Sequence, residues 1–192
     1  MTEKEKMLAG EIYQSFFDEE LFAGLCKAKD LCLEYNNTRF SQTEVRNILI
    51  RQILGKAGKD VCITAPFWCD YGFNVEVGDN FYSNHNLTIL DCGKVKFGNH
   101  VFVGPNCGFY TAGHPIDSEE RNTGLEYAYP ITVGDNVWFG GGVNVLPGVT
   151  IGSNVVIGGG SLVNKDIPSN VVAAGNPCRV IRPITEDDKM IR

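Results

Sequence analysis

The sequence predicts an all-β core of stacked hexapeptide coils, preceded by a helical segment. Three observations lead there. Residues 1–60 carry 19 charged residues and four glycines, whereas residues 61–192 carry 21 and 18, so two compositions succeed one another. From residue 133 the chain divides into sixes whose leading positions, Val133, Phe139, Val145, Ile151 and Ile157, are all apolar. The same phase fits Phe97 and Val103, and Phe109 and Val133 are 24 residues apart, a multiple of six.

The helical segment spans residues 1–58 and packs on the prism of coils. Thr2 with Glu5, and Ser41 with Glu44, fit the S/T-x-x-E capping box. Leu21, Leu25, Ala28, Cys32 and Tyr35 recur at three- and four-residue spacing, one face of an amphipathic helix. That periodicity makes Cys32 a buried apolar residue rather than a nucleophile. Val45, Ile48, Leu49, Gln52 and Ile53 mark a second helix, which Gly55 and Gly58 end.

The coiled region spans residues 59–183. A period of six is neither helical nor a plain strand alternation. It suits a short strand and a turn repeated around a prism. The leading residue points inward, and Gly or Asn takes turn conformations that a Cβ opposes. The fifth positions, Val137, Val143, Val149, Val155 and Ser161, are small or β-branched. Val101 and Cys107 fill the same slot, which puts Cys107 in the core. The stretch Val77-Gly78-Asp79-Asn80-Phe81-Tyr82 repeats the pattern offset by two residues. Residues 111–130 break it, being polar and non-periodic. Loops of this length in compact domains are functional or disordered. The aromatics and flanking prolines of this one favour an ordered functional loop. Residues 184–192 form a C-terminal tail.

Composition narrows the function. The net charge of −6 disfavours a nucleic-acid surface. No apolar run reaches the roughly 18 residues of a membrane span, and the first residues lack a secretory h-region. Seven cysteines without a C-x-x-C pair fit neither a disulfide framework nor a structural zinc site, so a reducing, cytoplasmic setting is expected.

Few residues are equipped for chemistry. His100 follows Gly98-Asn99 at a repeat turn and reads as exposed and inert. His85, in Ser83-Asn84-His85-Asn86, fits a turn role or a site wall equally. His114 opens the interrupting loop between Gly113 and Pro115, and histidine suits proton transfer near neutral pH. Asp117 and Glu126 are both in reach in sequence to orient its ring. Lys165, Arg179 and Arg182 are three of only eight basic residues after residue 60, and either stay solvated or bind phosphate. No Walker or dinucleotide fingerprint accompanies them.

Several runs carry a family resemblance. Asn80-Phe81-Tyr82-Ser83-Asn84, Thr111-Ala112-Gly113-His114-Pro115, Pro130-Ile131-Thr132-Val133-Gly134-Asp135-Asn136-Val137-Trp138 and Asn170-Val171-Val172-Ala173-Ala174-Gly175-Asn176-Pro177-Cys178-Arg179-Val180-Ile181 resemble the maltose and galactoside O-acetyltransferases, over nearly the whole chain. The resemblance implies a left-handed parallel β-helix, against the usual crossover preference. It implies a homotrimer with active sites between neighbouring prisms, acetyl-CoA as donor, and a small sugar as acceptor.

Residue roles come from the same resemblance. His114 matches the catalytic general base, and Asn84 an acceptor-site asparagine that helps stabilise the transition state. Asp70 stands at an acceptor contact that is serine in galactoside enzymes and aspartate in maltose-type ones. Asp91 belongs to an acidic pair at the acceptor site, whose second member is Cys92 here. The N-terminal acidic contact has no secure place between Gln14 and Asp18. On the donor side, Trp138 walls the site, and Gly141, Gly159, Asn164, Lys165, Arg179 and Arg182 fall where the family binds the cofactor. Gly141 replaces a serine and Asn164 a threonine.

The implied reaction is direct transfer. His114 takes a proton from a sugar hydroxyl as it attacks the thioester, and an amide near Gly141 holds the oxyanion. No metal is required, and no cysteine matches a nucleophile position. A hexapeptide acetyltransferase with another acceptor, such as a galactoside, a lipo-oligosaccharide or an antibiotic, is the rival reading. A metal-dependent hydrolyase resembling γ-class carbonic anhydrase is more remote, because His85, His100 and His114 lack that family's close pair.

Overall fold

A computed structural model describes residues 1–15 and 18–191. Helices α1 (Glu3–Ala9), α2 (Glu19–Asn37) and α3 (Thr43–Ile53) precede a parallel β-solenoid of about six turns. Thr2 and Glu5 form the expected capping box of α1. The box expected from Ser41 and Glu44 is not formed. Helix α3 starts one residue later, after Gln42, whose side chain makes no cap. The inner face of α2 is as the spacing predicts, with Leu21, Ala28, Cys32 and Tyr35 buried. Helix α3 is rotated from the expected face. Val45 and Ile48 are exposed, while Arg46, Leu49, Ile50 and Ile53 are buried. Arg46 goes inward because its guanidinium bonds the Thr38 and Ile63 carbonyls and the Tyr35 hydroxyl, and stacks 4.2 Å from the Tyr35 ring. Gly55 is not a left-handed cap either. A Cβ there would stand 2.0 Å from the Phe73 carbonyl oxygen, so glycine permits contact with the first coil.

Each of the first five coils contributes one strand to each of three parallel faces, and the sixth adds one to the second face. The first face stacks Lys56–Ala57, Val75–Val77, Val95–Phe97, Ile131–Val133 and Thr150–Ile151. The second runs from Cys62–Ile63 through Tyr82–Ser83, Phe102–Val103, Val137–Phe139 and Val155–Ile157 to Val171–Ala174, where Arg179–Pro183 adds an antiparallel edge. The third stacks Phe67–Cys69, Leu87–Leu90, Gly108–Tyr110, Asn144–Val145 and Leu162–Val163. All five leading positions and all five fifth positions of the regular sixes are buried. Phe81, Phe97, Phe109 and Phe139 form a ring column along the axis, with centroids 4.8 to 5.2 Å apart. The corner after the first face repeats a left-handed residue: Asp60, Asn80, His100, Asn136, Asn154 and Asn170 have φ between 53° and 64°. His100 is therefore a turn residue, one of the types that tolerate this region.

The two-residue offset has a structural cause. Cys69 and Val77, and likewise Ile89 and Phe97, are eight apart, whereas Phe97, Val103 and Phe109 are six apart. The extra residues widen the corner between the third and first faces in the early coils. In the next coil the same corner emits residues 111–130. Three buried polar residues hold these corners together. Asn74 Nδ2 donates to the Asp91 and Cys92 carbonyls, at 2.7 and 3.1 Å. Asp91 Oδ1 accepts from the amides of Asp70 and Tyr71, and Thr111 Oγ1 bridges the Leu90 carbonyl and the Gly93 amide.

The excursion is more regular than its composition suggests. It contains Ala112–Gly113, helix α4 (Ser118–Asn122) and Leu125–Ala128. The last strand pairs antiparallel with Ala112–Gly113 on one side and with Tyr13–Gln14 on the other. The purely helical reading of the N-terminal segment missed Tyr13–Gln14, because two residues are too few to show a period.

Candidate active site

His114 stands at the end of Ala112–Gly113, where the excursion leaves the widened corner. Its Nδ1 lies 3.2 Å from the Leu125 carbonyl oxygen. A carbonyl only accepts, so this contact assigns the hydrogen to Nδ1 and leaves the Nε2 lone pair free in the neutral ring. Neither expected carboxylate orients the ring. Asp117 instead caps α4 through the amides of Glu119 and Glu120. Glu126 accepts from the hydroxyls of Tyr13 and Ser15, at 2.6 and 2.7 Å.

His114 lines a cavity of about 440 Å³ with Asp70, Tyr71, Cys92, Glu126 and Ser15. Leu21, Phe22 and Leu25 of α2, with Leu90 and Ala112, make its apolar wall. Asp70 follows Cys69 at the widened corner that offsets the repeat by two residues. Burial pushes the Cys92 thiol up to about 12, so it stays protonated. Burial, followed by the charges and hydrogen bonds of Cys92 and Glu126, raises the Tyr13 phenol far above its usual value, so Tyr13 remains the donor to Glu126. Asp91 does not line the cavity. It is fully buried, and its Oδ1 supports the backbone of Asp70 and Tyr71. This corrects its expected place among the acceptor contacts, because the extra corner residues turn it inward. Residues 16 and 17, in the stretch expected to hold an N-terminal acidic contact, lie outside the described residues.

The remaining expected residues gather elsewhere. Asn84, Trp138 and Gly141 line a groove of about 570 Å³ with Tyr82, Phe102 and Pro105. Tyr82, Phe102 and Trp138 stand side by side across the strands of the second face. All three are exposed, Trp138 by 56%. Asn84 Oδ1 accepts from the His85 amide at 2.8 Å, which leaves its Nδ2 to donate outward. The Gly141 amide has no partner among the described residues. A Cβ on Gly104 would reach within 2.6 Å of that nitrogen, so glycine keeps the coils close there. Gly159 stacks on Gly140 in the next coil. His85 takes the turn role: its Nδ1 contacts the Ala65 carbonyl at 2.6 Å, and it does not line the groove.

At the end of the solenoid, Arg179 Nη1 lies 3.3 Å from Asn164 Oδ1, and Lys165 is next in the chain, exposed and without an ion pair among the described residues. Arg182 is not an isolated cation. Asp188 holds it in a two-pronged pair at 2.6 and 2.8 Å. The three histidines stand at three different corners of the prism, and no cluster of three His, Cys, Asp or Glu side chains suited to a metal occurs among the described residues.

Comparison with known proteins bears directly on these features. Residues 6–58 match the maltose acetyltransferase hexapeptide capping motif, and residues 130–165 match the bacterial transferase hexapeptide of six repeats. A maltose O-acetyltransferase from Clostridium difficile is 50% identical, with a TM-score of 0.95 over 97% of this chain and 99% of that one. The chain belongs to the maltose/galactoside O-acetyltransferase family. A galactoside acetyltransferase solved in complex with coenzyme A has the same TM-score of 0.95 at 42% identity, over 100% of this chain and 96% of that one. A hexapeptide-repeat acetyltransferase from Vibrio cholerae, complexed with acetyl coenzyme A, is 35% identical with a TM-score of 0.89, over 97% and 100%. Among family features, the helical cap now has a physical role. It closes one wall of the His114 cavity with Leu21, Phe22 and Leu25. The Leu125 carbonyl and that wall were not expected from the sequence. Only the inward spacing of Leu21 and Leu25 hinted at the wall. No described helix is long and apolar enough to cross a membrane.

Proposed function

We propose that this protein transfers the acetyl group of acetyl-CoA to a hydroxyl of a neutral sugar, of maltose or glucoside type, with His114 as general base. The observation that carries the reading is the ring of His114, fixed through Nδ1 by the Leu125 carbonyl in a cavity that also holds Asp70. Nε2 takes the hydroxyl proton as the oxygen attacks the thioester carbon. The carbon–sulfur bond breaks on collapse, CoA leaves as thiolate, and the imidazolium returns the proton to sulfur. The Asn84 Nδ2 and the Gly141 amide are donors suited to the oxyanion. Gly159, Asn164, Lys165 and Arg179 extend from that groove toward the cofactor phosphates, with Arg182 joining only if Asp188 releases it.

The two halves of this machinery lie apart on one chain. The His114 cavity and the Asn84 groove share no lining residue. A homotrimer with sites between neighbouring prisms unites them, one copy supplying His114 and Asp70 and the next supplying Asn84, Trp138 and Gly141. The exposed ladder of Tyr82, Phe102 and Trp138 supplies apolar surface for that contact. Acetyl-CoA consumption across maltose, glucose, galactosides and an aminoglycoside tests the acceptor. With the best acceptor, His114→Ala is expected to lower kcat by roughly 10²- to 10⁴-fold while the KM for acetyl-CoA holds. A variant that keeps most of its kcat would remove His114 from the mechanism.

A further inference from the structure

Asp70 is held from two sides. Lys29, on α2, places Nζ 2.8 Å from Asp70 Oδ1. The lysine side chain is 38% exposed and the aspartate 17%, so the pair is half sheltered. One helical turn further, Cys32 Sγ lies 3.6 Å from Cys69 Sγ, and both thiols are fully buried. This contact sets α2 in register with the strand that ends at Asp70. From the next coil, Asp91 Oδ1 accepts from the Asp70 amide at 2.9 Å. Backbone and side chain are thus fixed independently. Oδ2 keeps only one contact among the described residues, from Cys92 Sγ at 4.0 Å, a weak donor at long range.

We propose that Lys29 is a positioning and specificity-determining residue of this site. Its ammonium holds Asp70 by Oδ1, so that Oδ2 alone is offered to an acceptor hydroxyl. It also offsets the negative charge of the cavity. Among the described residues no lysine or arginine lines that cavity, while Asp70 and Glu126 do. Without Lys29 the cavity attracts cationic acceptors and holds neutral ones less well. The inference rests on the reading of Asp70 as an acceptor contact.

Steady-state kinetics with acetyl-CoA test it, using glucose and protonated glucosamine as paired acceptors. The proteins are wild type, Lys29→Met, Lys29→Arg, Asp70→Asn and the Lys29→Met/Asp70→Asn double variant. Lys29→Met is expected to raise the glucose KM roughly tenfold, the scale of one hydrogen bond to a charged group, and to leave the acetyl-CoA KM unchanged. The ratio of kcat/KM for glucosamine over glucose should rise by a similar factor. Lys29→Arg should recover most of both values, and Lys29→Met should add little in the Asp70→Asn background. A glucose KM and a ratio that stay at wild-type values in Lys29→Met would overturn the inference, as would a lowered Tm with unchanged KM, which marks a structural role alone. If Asp70→Asn also leaves the glucose KM unchanged, the reading of Asp70 itself fails. A wild type that turns over neither sugar overturns both.

Discussion

Asp91 carries a carboxyl that folding removes from water. It is fully buried, and its Oδ2 has no hydrogen-bond partner among the described residues. Burial is the main force pushing its pKa up, from 3.8 to about 6; the Tyr71 amide opposes this and the Asp70 charge adds to it. The native chain therefore holds this proton more tightly than the unfolded chain does. That stabilisation is fully present below about pH 3.8 and is lost as the pH rises through about 6. A shift of roughly two pH units at about 1.4 kcal/mol each gives about 3 kcal/mol over the whole span. About 2 kcal/mol of it falls between roughly pH 4 and pH 8. Asp91→Asn cannot titrate, and any misfit of its amide adds an offset that does not depend on pH. Urea unfolding of both proteins, across that pH range at one protein concentration, isolates the carboxyl. The wild type should lose about 2 kcal/mol relative to Asp91→Asn as the pH rises. Parallel curves would refute the reasoning. A wild type that gained stability instead would mean that the corner stabilises the carboxylate, as two amide donors alone would do.

Two further outcomes test the donor side and the assembly. Lys165→Ala should raise the KM for acetyl-CoA by roughly 10- to 100-fold, the scale of a charge-assisted contact, with kcat little changed, because the phosphates are remote from the thioester. An unchanged KM would show that Lys165 is merely solvated. Multi-angle light scattering should give three times the chain mass of 21.1 kDa at micromolar concentration. A monomer that still turned over acetyl-CoA would separate the activity from any shared site.

Much of the architecture was readable because the repeat is redundant. Val133, Phe139, Val145, Ile151 and Ile157 all report the same inward slot, so one error could not hide the period. The helix spacing of Leu21, Ala28, Cys32 and Tyr35 worked for the same reason. Errors arose where a single contact outweighed the local pattern. Arg46 turned α3 inward on its own side because Tyr35 and two carbonyls satisfy it. Ser41 lost its capping role because the helix begins one residue later, at a turn in which Gln42 Oε1 accepts from the Arg39 amide. The sense of the solenoid's winding came from family resemblance and not from the periodicity, which is the same for either hand.

The site divides along a similar line. Residue type and position singled out His114, because few groups in a Gly- and Val-rich repeat can move or hold a proton, whereas Asp70 was marked by the family resemblance alone. Their partners were invisible in one dimension. Leu125 orients His114 through a backbone carbonyl, which carries no residue-type signal at all. Lys29 reaches Asp70 across 41 positions of chain, and Tyr13 reaches Glu126 across 113. Asp91 was expected as an acceptor contact because the family resemblance places it in an acidic pair at that site. Two extra residues in one corner turned it into the core instead. Periodic burial is written locally, one slot at a time, whereas the direction and pairing of a polar side chain depend on which coil and which helix come to lie beside it.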